Sequence, residues 1–387
     1  MAQSGDPRVF ARFDLSRVPS PCFVVDACAL EDNLKVLADI KQQSGAHIFL
    51  ALKAFSMFSL APLIMTYLDG VCASGLHEAR LGREKFCPTR GEVATFSAAY
   101  SPSDMASIAA LSDHVLFNSL GQLRAYAAEV RAVGKQIGLR INPQHSEGTV
   151  ARYDPCSPCS RLGVPVDQLS DAHFDGVDGV HMHTLCEQGF APLERTWQAA
   201  LPALEPYLPK LKWVNLGGGH HLTRKDYDRA GLIRFIHQLR AEHNVEVYLE
   251  PGEAVVADAG ILVGEILDVT HNDMPLVITD VSATCHMPDV IEAPYRPELL
   301  GEAEAETQAL HRFGGPSCLA GDVIGDYRGS FAAGDRFAFL DQAHYSMVKT
   351  NTFNGIGLPS IAIWNSETDE LRLVRDFGYD DFLQRLS

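Results

Sequence analysis

His47-Ile48-Phe49-Leu50-Ala51-Leu52-Lys53-Ala54 is a β-prone apolar run with one lysine near its C-terminal end. Desolvating an unpaired ammonium is costly, so a lysine in such a place needs a reason. One reason is a depressed pKa, which makes the side chain a neutral amine nucleophile fit to form a Schiff base. The competing reading is a lysine snorkelling from a strand end to water. The rest of the chain decides between them. Strand-like stretches recur at 71–74, 93–97, 114–118, 136–141, 179–184, 212–216 and 246–250. Helix-length segments lie between most of them, among them Leu76–Phe86, Pro102–Leu111, Leu120–Val133 and Lys225–Glu242. Ser101, Pro102 and Asp104 look like a helix start. Eight strands over about two hundred residues is the count of a (β/α)8 barrel of the TIM type. A doubly wound sheet would want a G-x-G-x-x-G after its first strand, and none follows residue 54. The barrel is therefore expected, over residues 29–260.

Upstream, Cys22–Asp26 reads as a short strand, and Leu30, Leu34, Leu37 and Ile40 mark a helical face. Beyond about residue 260 the texture changes. Gly260–Thr270, Leu276–Asp280, Arg336–Leu340, Ser360–Trp364 and Leu371–Asp376 are short strands between turn residues, which predicts a C-terminal all-β domain over 261–387. Met287–Phe313, rich in Glu and Pro, reads as a long loop with a helix near Gly301–Leu310. The N-terminal segment, 1–28, is expected to add a strand to the β domain.

A length of 387 residues fits two domains, and 46% hydrophobic content supplies a large core. The formal charge of −17 argues against nucleic acid and anionic membranes and is compatible with a cationic ligand. No run approaches the length of a membrane span, and the first twenty residues lack the apolar core of a signal peptide, so a cytoplasmic protein is expected. Nine scattered cysteines fit reduced thiols. Cys156-Ser-Pro-Cys159 has the spacing of half a zinc site, but no second pair completes it, and no metal is expected.

Functional groups of such barrels lie at the C-terminal ends of the strands. The first expected strand ends in Lys53, the sixth in His181-Met182-His183, the seventh in Gly217-Gly218-Gly219 and the eighth in Glu250-Pro251-Gly252-Glu253. Three glycines expose backbone N–H groups as a phosphate requires, and the loop after strand seven is a favoured phosphate position. Glu250 closes an apolar strand and would be poorly solvated without a positive partner. A lysine for an aldehyde, glycines for a phosphate and a carboxylate for a ring nitrogen together suggest pyridoxal phosphate. An H-x-H pair at a strand end is also the opening signature of metal-dependent barrel hydrolases. For His183 stacking on a cofactor ring is favoured, and for His181 a packed position.

Six motifs stand in order along the chain: Ala51-Leu-Lys-Ala54, Gly179-Val-His-Met-His183, Asn215-Leu-Gly-Gly-Gly219, Glu250-Pro-Gly252, Gly315-Pro-Ser-Cys318, and Tyr345 with Phe353-Asn354-Gly355. From Pro21 to Gly355 the sequence resembles the fold-type III pyridoxal-phosphate decarboxylases, the group of the ornithine, arginine and diaminopimelate enzymes. Within the group it is most similar to the carboxynorspermidine branch, through Glu253-Ala254, Thr184-Leu-Cys-Glu187, His286-Met-Pro-Asp289 and Pro294-Tyr-Arg-Pro297. Val71 and Leu319 replace acidic residues of other members, which speaks against ornithine and diaminopimelate as substrates.

The resemblance implies a homodimer with shared active sites that acts on a carboxylated polyamine. Lys53 would take the cofactor's aldehyde and His183 would stack on its ring. Gly217, Gly218, Gly219, Gly252 and Tyr345 would bind phosphate, and Glu250 would meet the pyridine nitrogen. Cys318 of the neighbouring subunit would return a proton to the substrate, with Asp322 beside it. Glu253, Asp289, Glu292, Asp322 and His286 are the candidates for the substrate's distal end. Read from the residues alone, Cys318 is favoured as one more small buried apolar side chain, and Tyr345 is equally a core tyrosine. Arg161 serves either a carboxylate or a loop. The alternatives are a decarboxylase of diaminopimelate or another basic amino acid, a non-catalytic cofactor-binding regulator, and a metal-dependent hydrolase.

Overall fold

The first strand, β1 (Cys22–Asp26), precedes a set of parallel strands that begins with the lysine-bearing run. These are β2 (His47–Ala51), β3 (Gly70–Ala73), β4 (Glu92–Phe96), β5 (His114–Phe117), β6 (Gln136–Asn142), β8 (Gly179–His181), β9 (Trp213–Asn215) and β10 (Glu246–Leu249); β7 is a two-residue strand, Val164–Pro165, beside β6. Each pairs with the next, and β10 returns to β2, so eight parallel strands close a barrel. The expected fold class is correct. A computed structural model describes residues 7–148, 150–303 and 307–387, and the chain divides into two units: residues 33–255, and residues up to 32 together with those from 256 on. No helix among the described residues is long and apolar enough to cross a membrane.

Strands covered on both faces read as continuous apolar runs, and Ile48, Phe49 and Leu50 are accordingly buried. Inside the barrel Phe49, Ala94, Leu116, Trp213 and Tyr248 form one cluster. The Trp213 indole lies across Gly138 and Gly179, where a Cβ would come within 2.5 and 2.0 Å of the ring. Its Nε1–H donates to Gln136 Oε1 at 2.6 Å. Because Trp213 opens β9, this plug fills the N-terminal side of the barrel and polar groups gather at the other end.

In the second unit, β11 (Gly260–Asn272) is long enough to serve two parts of one sheet. Its first half pairs with β1 and with β15 (Arg336–Leu340). After a register shift at Ile266/Asp268 its second half pairs with β12 (Met274–Thr279), which leads on to β13 (Leu310–Gly314) and β14 (Val323–Arg328). On the other side β1 runs parallel to β16 (Ser360–Asn365), which pairs with β17 (Glu370–Arg375). Side chains of a strand alternate between faces. Cys22 and Val24 therefore join Phe10, Phe13 and Trp364 in one core, while Phe23 joins Phe313, Tyr327 and Phe339 in another.

Several expected element limits are corrected. Residues 102–104 form a turn, and the helix begins at Met105 with no side-chain cap from Asp104. The helix expected from Lys225 begins at Arg229, where the Asp228 carboxylate accepts from the Gly231 amide. Leu76–Leu81 is α-helical and continues as a π-helical turn over Gly82–Phe86. The helix expected near Gly301–Leu310 falls partly on residues 304–306, which lie outside the described residues; among the described residues of this stretch Leu310 opens β13 and Asp289–Glu292 forms a helical turn. β14 escaped the sequence reading because a bulge, set by the register shift between Phe313 and Gly314, interrupts its alternation.

Candidate active site

Lys53 lies two residues beyond β2, in a turn that the Ala54 amide closes onto the Ala51 carbonyl. Its Nζ is 3.2 Å from His183 Nε2. Burial pushes the amine below its ordinary pKa; Arg140 pushes the same way, while Cys72, Glu250 and Cys186 act against it. On its other edge, His183 Nδ1 accepts from the Gly218 amide at 3.0 Å. Burial holds this imidazole well below its ordinary pKa, and the charge of Arg140, with that of Lys53 whenever it is protonated, acts the same way. It is neutral near pH 7.

Glu250 immediately follows β10 and is buried. Its Oε1 accepts from Asn215 Nδ2 at 2.7 Å, and its Oε2 lies 3.1 Å from His181 Nε2. Burial alone would raise this carboxyl, but His181, Asn215 and Lys53 together hold it below the ordinary value, so it is ionised. His181, also buried, is pushed down by desolvation, and as a neutral ring it donates Nε2–H to Glu250. The histidine read as packed is thus the one that meets the carboxylate. Its ring lies nearly parallel to that of His183, with centroids 6.4 Å apart.

The glycine loop is built more tightly than a flexible turn. Gly217 and Gly219 have φ of 68° and 82°. A Cβ at Gly218 would stand 2.0 Å from the Glu250 carbonyl oxygen, and one at Gly219 would stand 1.9 Å from that of Leu185. The Gly217 amide donates to Asn215 Oδ1 at 2.8 Å, and the Gly218 amide donates to His183. Two of the three amides expected to face a phosphate therefore have internal acceptors. Gly252 brings its turn against Ala54, whose Cβ a side chain at residue 252 would meet at 2.6 Å.

Two contributors were missed. Arg140, buried in β6, donates from Nη2 to the His183 carbonyl at 2.8 Å and lies over the Phe96 ring at 4.5 Å. Asn215, quoted within a motif but given no task, joins Glu250 to the glycine loop. Three buried polar atoms near the same strand ends, His181 Nδ1, Thr184 Oγ1 and His220 Nε2, have no hydrogen-bond partner among the described residues. Buried polar atoms are normally satisfied, so such a cluster marks a place where a polar ligand fits. A lysine amine shifted toward neutrality and an ionised carboxylate at the same barrel end match the aldehyde and ring nitrogen of pyridoxal phosphate.

The remaining expected residues lie in the second unit, Glu253 and Arg161 excepted. Glu253 is half-buried and opens the helical turn Glu253–Val256. Cys318 is exposed, and its amide donates to Asn354 Oδ1 at 2.8 Å. Asp322 is buried and accepts from Ser282 Oγ at 2.8 Å and from the amides of Thr284 and Ser317. It organises its own loop. His286 is fully buried, with Nδ1 accepting from the Ser282 amide and Nε2 at 2.9 Å from the Gly357 carbonyl. Both of its ring nitrogens are engaged. Asp289 and Glu292 hold the Lys349 ammonium at 2.5 and 3.0 Å. Tyr345, at φ 45°, has the same ammonium 5.9 Å from its ring centre. Arg161 is exposed, and its carbonyl accepts from Asn118 Nδ2 while Asn118 Oδ1 accepts from the Gly163 amide, which is a loop role.

A family model described as the pyridoxal-dependent decarboxylase, C-terminal sheet domain, matches residues 22–343. The chain belongs to the pyridoxal-dependent decarboxylase family. The resemblance carried by the six motifs is thereby met, and the hydrolase reading of His181-x-His183 falls. The chain is 39% identical over 377 residues to carboxyaminopropylagmatine decarboxylase of Synechocystis sp., covering 96% of each chain. It is 35% identical to carboxynorspermidine/carboxyspermidine decarboxylase of Campylobacter jejuni, over 95% of this chain and 99% of that one. The crystal structure of carboxynorspermidine decarboxylase from the same organism, complexed with norspermidine, superposes with a TM-score of 0.87 at 34% identity, over 95% of this chain and 100% of that one. Diaminopimelate decarboxylase from Helicobacter pylori shares the fold, with a TM-score of 0.83, at only 17% identity, over 96% of this chain and 97% of that one.

Proposed function

We propose that this member of the family decarboxylates carboxynorspermidine and carboxyspermidine, in polyamine biosynthesis, with pyridoxal phosphate held on Lys53. The observation that carries the reading is the convergence of Lys53, His183 and the ionised Glu250 on one barrel end in a chain that matches a carboxynorspermidine/carboxyspermidine decarboxylase over nearly its whole length. When bound, the cofactor supplies an electron sink for the bonding pair left when CO2 departs. Glu250 keeps a proton on the ring nitrogen, and Asn215 and His181 keep Glu250 ionised for that task. His183 offers a flat face to the ring, with its carbonyl anchored by Arg140. Gly219, Gly252 and Tyr345 serve the phosphate, together with the backbone room that Gly217 and Gly218 provide. Cys318, from the partner subunit of a homodimer, delivers the proton that replaces CO2 on the substrate carbon.

Among the candidates for the distal ammonium, Asp322 and His286 are engaged within their own loops. Asp289 and Glu292 would have to exchange Lys349 for the substrate. All nine cysteines are free thiols, which supports a reducing, cytoplasmic setting. The 39% identity to the Synechocystis relative favours a second substrate reading, carboxyaminopropylagmatine.

The purified protein should be yellow, and borohydride should fix the cofactor on the peptide containing Lys53. CO2 release should then be measured with the three carboxylated amines and diaminopimelate at subsaturating concentration. Faster turnover of diaminopimelate would overturn the polyamine reading, and faster turnover of carboxyaminopropylagmatine would select the second.

A further inference from the structure

A neutral imidazole carries one proton, and the partner of one ring nitrogen decides where it sits. His183 Nδ1 lies 3.0 Å from the Gly218 nitrogen, and a backbone amide is a donor only. Nδ1 must therefore present its lone pair, which puts the ring proton on Nε2. An imidazolium would set two N–H groups against each other at that distance. Nε2 in turn lies 3.2 Å from Lys53 Nζ. An Nε2–H facing an ammonium is again two donors in contact. Facing a neutral amine it is a hydrogen bond, with the amine lone pair as acceptor.

The parts that impose this arrangement have little freedom. Gly218 cannot carry a side chain, because a Cβ would meet the Glu250 carbonyl at 2.0 Å. Arg140 holds the His183 carbonyl at 2.8 Å. The charged and titratable groups around Lys53 are divided: Arg140 opposes its protonation, while Glu250, Cys72 and Cys186 favour it. Burial adds to the effect of Arg140, and the His183 contact at 3.2 Å acts in the same direction. We propose that the Gly218 amide locks His183 in its Nε2–H tautomer and that this ring donates to Lys53 Nζ, holding it as an unprotonated amine before any aldehyde arrives. An ammonium has no lone pair with which to attack a carbonyl. The consequence for function rests on the reading of Lys53 as the cofactor lysine, but the protonation state itself belongs to the cofactor-free chain.

The test uses the full-length protein stripped of cofactor. Nitrogen NMR of histidine-labelled protein, with the His183 signals assigned by their loss in His183→Gln, should show an acceptor-type Nδ1 and a protonated Nε2. Competitive acetylation across pH, read by mass spectrometry, gives the labelling midpoint of Lys53 beside that of exposed Lys225. Lys53 should titrate below Lys225, with a correspondingly larger unprotonated fraction at neutral pH. His183→Phe should raise the Lys53 midpoint by about one unit, tenfold in that fraction. His183→Gln, which keeps a side-chain N–H donor, should recover most of the shift. A proton on Nδ1, a Lys53 midpoint equal to that of Lys225, or no change in His183→Phe would each overturn the proposal. Should His183→Phe not fold, the wild-type nitrogen spectrum decides alone. Borohydride trapping of added cofactor on Lys53 reports separately on the function.

Discussion

Asn215 makes the bond on which the two halves of the barrel-end site depend, so its removal is the most informative perturbation. Its Nδ2 donates to the buried, ionised Glu250 at 2.7 Å and its Oδ1 accepts from the Gly217 amide at 2.8 Å. Asn215→Ala deletes one hydrogen bond to a charged group, about 1.5–3 kcal/mol, and one neutral bond, about 0.5–1.5 kcal/mol. The sum, roughly 2–4.5 kcal/mol, corresponds to a thirty- to two-thousandfold change in an opening equilibrium. Hydrogen exchange by mass spectrometry on cofactor-free protein resolves this, because peptides of β9 and β10 exchange through opening of the barrel. Their exchange should accelerate by that factor.

Asn215→Asp separates the two bonds. It keeps an acceptor for Gly217 but sets a second carboxylate against Glu250, and such a pair shares one proton. One folded-state carboxyl pKa is then raised above its unfolded value. Stability is retained below the unfolded value and lost as pH rises through the raised one, so this variant should weaken toward neutral pH. Less than about tenfold acceleration in Asn215→Ala, near 1.4 kcal/mol, would refute the view that Asn215 supports the carboxylate.

Gly218→Ala should destabilise the barrel by about 1–3 kcal/mol in thermal unfolding, since its Cβ meets backbone and not a flexible side chain. Gly121→Ala, whose Cβ would meet Ser119 Oγ at an ordinary contact distance of 3.7 Å in the helix Leu120–Ala132, should be neutral or stabilising by up to about 1 kcal/mol. Glu147 is held from its ordinary 4.5 down to about 2, chiefly by the paired Arg195 bonds. Its contribution is present above pH 4.5 and is lost as pH falls toward 2, so Arg195→Met should flatten the acid limb of a urea-midpoint profile. In the proposed homodimer, mixing inactive Lys53→Ala with inactive Cys318→Ala protein should restore up to about a quarter of full activity, because half the dimers would be hybrids with one intact site of two. No recovery, with subunit exchange shown independently, would place both residues in the same subunit's site.

The strands were legible where one physical signal dominated. Ile48-Phe49-Leu50 has no polar residue to satisfy, and such a run, repeated eight times with helical spacers and no glycine fingerprint after the first strand, favours a closed barrel. Signals failed where two local rules competed. Pro102 suits a first helical turn, yet residues 102–104 are a turn and the helix waits for Met105. The bulge beside β14 broke the alternation that identifies a strand.

In the site, positions along the chain were legible and partners across it were not. Glu250 was recognisable as a carboxylate in need of a cation, but Asn215 reaches it only because β9 and β10 are neighbours in a register that sets Tyr248 beside Asn215. Arg140 was within reach of the argument applied to Lys53, since Ile137-Gly-Leu-Arg140-Ile-Asn142 is also an apolar strand with one cation near its end. Its target, a backbone carbonyl 43 positions on, was not. Asp289 shows the same limit for substrate recognition. As a sequence feature it is an acid near a family motif, suited to an ammonium. In the folded chain it has an ammonium already, that of Lys349, 60 positions away, with Glu292 as the second ligand. A polyamine recruited to Asp289 must displace that lysine, so Asp289→Ala tests two events at once. Lys349→Met, which leaves both acids in place, isolates the competition: a lower KM in that variant places the substrate's ammonium at the Asp289–Glu292 pair, and an unchanged KM speaks against both acids.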